Sequence, residues 1–338
     1  MKDKHFDTYL ESTFDLIVAR RGDDGEILDG KLISKKTGAV VPIVSGIPRF
    51  VAGDNYARSF GLQWNEFRTT QLDSRTGVPL TANRFWKNTR WLASELQGRR
   101  VLEVGSGAGR FSEILLAAGA QLASFDYSSA VEANRTNNFC RGDIFLFQAS
   151  LYELPLEPAS FDFVFCYGVL QHTPDPDAAY RAIERFAKPG GKISIDYYLK
   201  SFRPSPWSTP KYFWRPITTR VAPELLARVV KWYVPRYLPI DTMIRSIPRI
   251  GGTLCGLIPI PCWNLVGMGL SQKQRLEWAV LDTFDALGAA YDKPKTLREV
   301  ERMIAAPDND TVEVFYGSNG IVANVRKRPG AAEGPGSL

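Results

Sequence analysis

The chain has 338 residues, 44% of them hydrophobic and 23% charged, with a formal charge of +6 at neutral pH. That is enough apolar material for one large domain with additions, or for two domains, and it predicts a soluble globular fold. The positive charge is local: residues 200–249 hold ten Lys/Arg against Glu224 and Asp241, so the rest of the chain is net −2 and nucleic acid is disfavoured as a partner.

The start, "MKDKHFDTYLESTFD", is too charged for the apolar run of an export signal. Cys140, Cys166, Cys255 and Cys262 show no paired metal-ligand spacing, so the expected setting is reducing and cytoplasmic, without disulfides. Residues 14–51 alternate short β-rich runs with Gly turns and predict a small β module, bounded as 1–54. Residues 55–98 read as an aromatic and polar arm with a helix from about Thr81 to Leu96, whose apolar side carries Phe85, Trp86, Leu92 and Leu96. From Val101 apolar runs alternate with helical patterns: "RRVLEV", "RFSEILLAAG", "QLASFD", "SAVEANRTN", "DIFLFQA", "FDFVFCYG", "DAAYRAIERFA", "GKISIDYY". That rhythm predicts an α/β fold with a parallel sheet and helices on both faces. It is interrupted over 200–295 by Pro, Arg and aromatics. It resumes at "TLREVERMIAA", where Thr296 and Glu299 suit a capping box, and ends in two β-runs around a Ser-Asn-Gly turn. The main domain is thus 99–199 with 296–327, and 328–338 is expected to be disordered.

The chemistry is concentrated in "VLEVGSGAGRFSEILLAAGAQLASFDYSS", residues 101–129. Gly105, Gly107 and Gly109 stand where a buried strand turns into a helix, a place where glycine permits tight turning and close backbone approach to a ligand. The spacing departs from a dinucleotide fingerprint, because the third glycine falls one residue early and Arg110 takes its place. Glu103 repels a pyrophosphate and suits a cationic amino group. Asp126, at the end of the second strand, is placed to accept hydrogen bonds from vicinal ribose hydroxyls. The ligand therefore has a ribose, an amino group and no phosphate.

With "FQASLYELPL", "FDFVFCYGVLQHTPDP" and "KPGGKISI", these residues resemble the class I S-adenosylmethionine-dependent methyltransferases, over about 85–198 and more weakly over 296–325. The resemblance implies a Rossmann-like, mostly parallel seven-stranded sheet with an antiparallel last strand, and S-adenosyl-L-methionine as cofactor. It implies that Glu103, Gly105, Ser106, Gly107 and Gly109 hold the methionine part and Asp126 the ribose. Tyr127 would flank the base, and Ser150 or the backbone at Leu151 would read the adenine. A family Asp is replaced by Ser150 here. His172 is the one plausible imidazole base, since the other histidine is His5; a helix-capping or pocket-lining role stays open. Tyr167, Asp196, Tyr197 and Tyr198, at the ends of neighbouring strands, are the other groups expected near the transferred methyl, with packing as the alternative.

"GKLISKKTGAVVPIVSGIPRFV" resembles the second half of a zinc-ribbon domain, with Ser34 and Thr37 where cysteines would stand, so no metal is expected. The segment 200–295 reads as a helical or irregular insert, a basic aromatic substrate lid. Arg203, Lys211 and Arg215 are expected to hold an anionic acceptor, and 200–272 allows peripheral contact with an inner membrane face. The sequence predicts O-methylation of a sugar-containing or acidic small molecule, free, nucleotide-linked or lipid-linked. An apolar specialised metabolite as acceptor, or a non-catalytic cofactor-binding regulator, remains open at this level.

Overall fold

The structure, a computed structural model, describes residues 1–52, 55–200, 209–306 and 309–330. The expectations for Arg203 and for the tail 331–338 lie outside the described residues.

The amino-terminal module is helix α1 (Asp3–Tyr9) and the strands β1 (Phe14–Arg21), β2 (Ile27–Ser34), β3 (Val40–Val44) and β4 (Ile47–Pro48), in an antiparallel meander of order β1-β2-β3-β4. Where the zinc-ribbon likeness would set two thiolates, the Thr37 N–H donates to Ser34 Oγ at 3.2 Å, closing a local turn.

The arm follows as α2 (Arg58–Glu66), α3 (Asp73–Thr76), α4 (Leu80–Thr89) and α5 (Ala93–Leu96). The single helix expected over Thr81–Leu96 is therefore two. Arg90 turns left-handed at φ 56°, which buries Trp91 against Phe85 and Phe163 and leaves Leu92 64% exposed. Burying an indole outweighs the cost of one strained residue, because aromatic burial contributes several kcal/mol and a left-handed non-glycine costs about 1–3 kcal/mol.

The main domain runs β5 (Arg100–Val104), α6 (Arg110–Ala117), β6 (Gln121–Asp126), α7 (Ala130–Asn138), β7 (Ile144–Gln148), β8 (Phe161–Cys166), α8 (Pro176–Glu184) and β9 (Ala187–Tyr197). Four helices follow: α9 (Thr209–Thr218), α10 (Pro223–Arg245), α11 (Gly251–Leu257) and α12 (Gln272–Gly288). The chain then returns through α13 (Leu297–Ile304) to β10 (Asn309–Gly317) and β11 (Gly320–Lys327). Thr296 Oγ1 accepts from the Glu299 N–H while Glu299 Oε2 accepts from the Thr296 N–H, the capping box expected from the sequence.

The large sheet has the order β10-β11-β9-β8-β5-β6-β7; β5 to β9 are parallel and β11 runs antiparallel to both β9 and β10. This is the Rossmann-like class I methyltransferase topology. Its parallel strands are buried on both faces even at the β7 end, as the near-continuous apolar run "IFLFQ" requires. The small module closes the β7 edge. Phe50 donates its N–H to the Gln148 carbonyl at 2.8 Å and sets its ring edge-on to Phe147, while Tyr9 stacks on Phe145. At the carboxyl ends of the strands, α10 and α12 pack through Val230, Val234, Ala279 and Phe284 into a cap with its own core. The described part of the insert, 209–295, is thus a folded helical cap, within the helical or irregular insert that the sequence predicts.

Candidate active site

The carboxyl ends of β5, β6, β8 and β9 meet α2, α4 and α12 around a cavity of about 1150 Å³. Ligands of open α/β sheets bind at this end, where adjacent loops part on opposite faces.

One part of the cavity is built by the glycine loop. The Gly105 and Ser106 N–H groups both donate to the Phe125 carbonyl, at 2.9 and 3.0 Å, so the loop is pinned to β6. Gly105 has φ 70°, and a Cβ there would lie 2.3 Å from Val169 Cγ2; only glycine fits. Gly105, Ser106 and Gly107 line the cavity, whereas Gly109 caps α6 behind it, against Asn134. Asp126 Oδ2 accepts from the Gly107 N–H at 2.9 Å, and Oδ1 accepts from the Ser128 N–H and hydroxyl at 2.8 and 2.7 Å. Burial raises the Asp126 carboxyl above its usual range, against the pull of these donors. Its carboxylate lines the cavity beside Tyr127, whose ring lies 4.9 Å from that of Tyr56.

Glu103 stands one residue before the lining begins. It is buried; Oε2 accepts from Ser112 Oγ at 2.5 Å and Ser124 Oγ at 2.8 Å, while Oε1 is enclosed with no partner. Burial pushes its carboxyl up to about 7. Leu151 lines the cavity as expected, but Ser150 does not: its Oγ accepts from the Tyr152 N–H at 3.3 Å and serves the turn.

The other part of the cavity corrects several expectations. Tyr167 reaches the lining, but Ser194 Oγ, 2.8 Å from its hydroxyl, itself donates to Asn324 at 2.6 Å, so the phenol donates to Ser194. Burial lifts its ionisation well above the ordinary phenol range, so the phenol stays protonated and hydrogen-bonded to Ser194. Asp196 lies outside the lining, held by Arg84 Nη2 at 2.5 Å and the Gly168 N–H at 2.6 Å; it orients Arg84 rather than facing a ligand. Successive strand residues point to opposite faces, so Tyr198 enters the cavity while Tyr197 turns into the core, its hydroxyl 3.2 Å from the Pro176 carbonyl. Lys211 and Arg215, expected to hold an anionic acceptor, are buried. Lys211 Nζ pairs with Asp292 Oδ2 at 2.5 Å, and Arg215 donates to the Ala286 and Ala289 carbonyls at the end of α12, at 2.9 and 2.8 Å. Both fasten α9 to the cap, although Lys211 also reaches the cavity wall.

His172 is the group that geometry favours. Its Nδ1 lies 2.8 Å from the Tyr291 carbonyl, which can only accept, so Nδ1 carries a proton. In the neutral ring Nε2 then holds the lone pair. That atom is buried without a partner, on a side chain that lines the cavity.

Residues that the sequence did not single out complete the wall. Arg110 Nη1 donates to Gln71 Oε1, Gln71 Nε2 donates to Asp282 Oδ1 at 3.0 Å, and Gln63 Nε2 donates to Asp285 Oδ1 at 3.4 Å. Burial and the neighbouring Asp285 push Asp282 up to about 7; burial and Arg84 bring Arg110 down to about 10. Trp64, Trp263 and Trp278 add aromatic faces. The available signal was "WAVLDTFDALG", two acids three apart in an otherwise apolar stretch of helix. Among the described residues no cluster of three or more His, Cys, Asp or Glu is arranged to hold a metal ion.

Residues 102–195 match the family described as "Methyltransferase domain". The ubiquinone biosynthesis O-methyltransferase of Xanthomonas euvesicatoria pv. vesicatoria (strain 85-10) is 40% identical over 104 residues, 30% of this chain and 44% of that protein. The protein of the same name from Xanthomonas axonopodis pv. citri (strain 306) is 32% identical over 150 residues, 39% of this chain and 62% of that one. The chain thus spans about half the length of the curated relatives it matches. Among solved structures, an S-adenosylmethionine-dependent methyltransferase from Methanococcus maripaludis aligns over 83% of this chain and 98% of its own at 14% identity and a TM-score of 0.44. Magnesium protoporphyrin IX methyltransferase from Synechocystis, with bound S-adenosylhomocysteine, aligns over 81% and 96% at 14% identity and a TM-score of 0.43. Fold, glycine loop and family match together define a class I methyltransferase fold whose cofactor is S-adenosylmethionine.

Proposed function

We propose that the protein is an S-adenosylmethionine-dependent O-methyltransferase acting on a sugar-containing or acidic small molecule. The reading is carried by His172, whose unpartnered Nε2 belongs to the same cavity as the glycine loop and Asp126. A cofactor-binding regulator has no use for an oriented, buried base beside its ligand.

The residues present fit the cofactor. Asp126 Oδ2, which accepts one bond, keeps a lone pair for a ribose hydroxyl, Tyr127 and Leu151 flank a base, and the enclosed Glu103 Oε1 would accept from the amino group. Bound there, S-adenosylmethionine supplies a methyl group on a sulfonium, open to in-line displacement. The protein aligns the acceptor and excludes water, and His172 Nε2 takes the acceptor hydroxyl's proton. The Tyr291 carbonyl keeps the ring in the tautomer that can do so. Oxygen as the acceptor atom is supported by the O-methyltransferase name of the curated relatives.

Gln63, Gln71, Asp282, Asp285 and Arg110 offer planar donors and acceptors suited to vicinal hydroxyls, and the tryptophans offer faces on which a sugar ring can lie. Arg84, whose Nε is buried without a partner, is placed for an acidic group. This polar wall disfavours an apolar metabolite. The test is incubation with methyl-labelled S-adenosylmethionine and fractionated extract. Label should enter a polar, sugar-containing or acidic fraction with the wild type and not with His172→Asn; label confined to an apolar fraction, or equal with both proteins, refutes the reading.

A further inference from the structure

Helix α10 has two apolar faces, and only one of them is used. Val230, Val234, Leu238 and their neighbours fill the cap's core. On the opposite side Leu225, Val229, Trp232, Ile240 and Met243 recur every third or fourth residue, with Arg236 completing the series, so they form one stripe along the helix. All are exposed, Trp232 by 63% and Met243 by 66%. The adjoining surface continues the pattern. On α9 Phe213, Trp214 and Ile217 are exposed, and Trp214 Nε1 donates at 2.6 Å to the Pro259 carbonyl, beside exposed Leu257 and Ile260. Contiguous exposed apolar surface of this kind marks an interaction site, since scattered single residues do not line up on one helix face.

We infer that the outer face of α10, with the adjoining surface of α9 and α11, docks flat on an anionic lipid surface. Charge selects this occupant. Across 209–271 eight Lys/Arg stand against two acids; Lys211, Arg215 and Arg245 are held inward and Lys231 pairs with Glu66, so the outward cations are Arg220, Arg228, Arg236 and Arg249. Of the two acids, Asp241 is buried on Arg245 and Asn264, and Glu224 is tied to Arg58, so neither offsets the outward cations. Arg228 lies beside the stripe, and Arg236 lies within it, its guanidinium 4.9 Å above the Trp232 ring. Arg236 is exposed, its guanidinium folded back on the Trp232 carbonyl and ring, and from there it can swing to lipid phosphates while the aromatic ring enters the headgroup layer. A second copy of the chain fits worse: a two-fold contact through this stripe would bring Arg236 towards its own image. The contact is in-plane, because no helix among the described residues is long and apolar enough to cross a membrane, and α10 carries Pro235 and Pro239. The same cap presents Tyr212 and Met268 both to solvent and to the cavity.

This inference rests on the outer surface alone and stands or falls separately from methyl transfer. Full-length protein is sedimented with vesicles of phosphatidylcholine containing phosphatidylglycerol, and with phosphatidylcholine alone. Capture by the anionic vesicles only, weakening with salt, is the expected result. Arg228→Gln with Arg236→Gln should lower partitioning about 30-fold, at about fivefold per basic residue near the surface. Trp232→Ser with Met243→Ser should abolish it. Each variant is shown to be folded by unchanged S-adenosylhomocysteine affinity. Failure of folded wild type to bind anionic vesicles overturns the inference. So does equal binding to both vesicle types, or a dimer cross-linked through residue 232 that no longer sediments with lipid.

Discussion

Glu103 provides the sharpest test of how the cofactor is held. Its carboxyl is pushed up to about 7 by burial, and its Oε1 has no partner. A cationic amino group needs the ionised form, so S-adenosylhomocysteine affinity should fall as pH falls through about 7. With that midpoint, about one molecule in eleven is ionised at pH 6 and about ten in eleven at pH 8, so the dissociation constant should be about tenfold larger at pH 6. The upper limit of the linkage is about 3 kcal/mol, reached if the bound cation returns the carboxyl to its ordinary 4.5. The free protein should show the opposite sign. Between 4.5 and about 7 the folded chain holds a proton that the unfolded chain has lost, so Glu103's contribution to stability grows as pH falls. Calorimetric titration at pH 6 and 8, in two buffers of different ionisation heat, measures both affinity and the release of nearly one proton at pH 6. Glu103→Gln should bind weakly and with no pH dependence. A wild-type affinity that is flat from pH 6 to 8, or a slope that survives in Glu103→Gln, refutes a carboxylate–ammonium contact.

Asp126→Ala should weaken S-adenosylhomocysteine binding by about 1.5 to 3 kcal/mol, or roughly 10- to 100-fold, because a charged acceptor is lost; unchanged affinity in a folded variant removes Asp126 from the site. His172→Asn keeps a donor for the Tyr291 carbonyl but no base, so label transfer should fall by about 10² or more while S-adenosylhomocysteine affinity stays within about threefold. Arg215→Gln should lower stability in urea by about 2 to 4 kcal/mol, since two buried carbonyls lose a charged donor; an unchanged midpoint would return Arg215 to the acceptor-binding role expected from sequence. At the amino-terminal module, the His5 hydrogen bond, with Lys4, holds Asp143 down at about 2, and burial lowers His5 below its ordinary 6.5. Stability should therefore decline as pH drops below 6.5, and again as it falls from about 4 towards 2. Asp143→Asn should remove the acid step in a thermal melt series, and its persistence would assign that step elsewhere.

The glycine loop, Asp126 and the strand–helix rhythm were legible because each depends on local geometry. A strand that turns sharply into a helix demands positive φ and a missing Cβ, and the carboxylate that serves this loop sits one strand later at a short, regular spacing. The capping box and the Ser-Asn-Gly hairpin were readable for the same reason, since their partners lie three residues apart or on adjacent strands. His172 could be named from scarcity, but not assigned: its tautomer depends on the Tyr291 carbonyl, 119 positions away.

The acceptor wall and the cap were decided only by tertiary structure. Lys211 and Arg215 look like solvent cations in a Pro-rich stretch until Asp292 and the end of α12 fold beneath them. Tyr197 and Tyr198 are neighbours of one type, and the pleat sends one into the core and the other into the cavity. Gln71, Arg110 and Asp282 come from three distant segments and acquire meaning only as a hydrogen-bonded series. Local order is written in short-range steric and capping rules, which act on residues close in sequence. Which side of a buried charge meets a partner or a ligand is set by contacts closed over hundreds of residues, and only the folded chain resolves them.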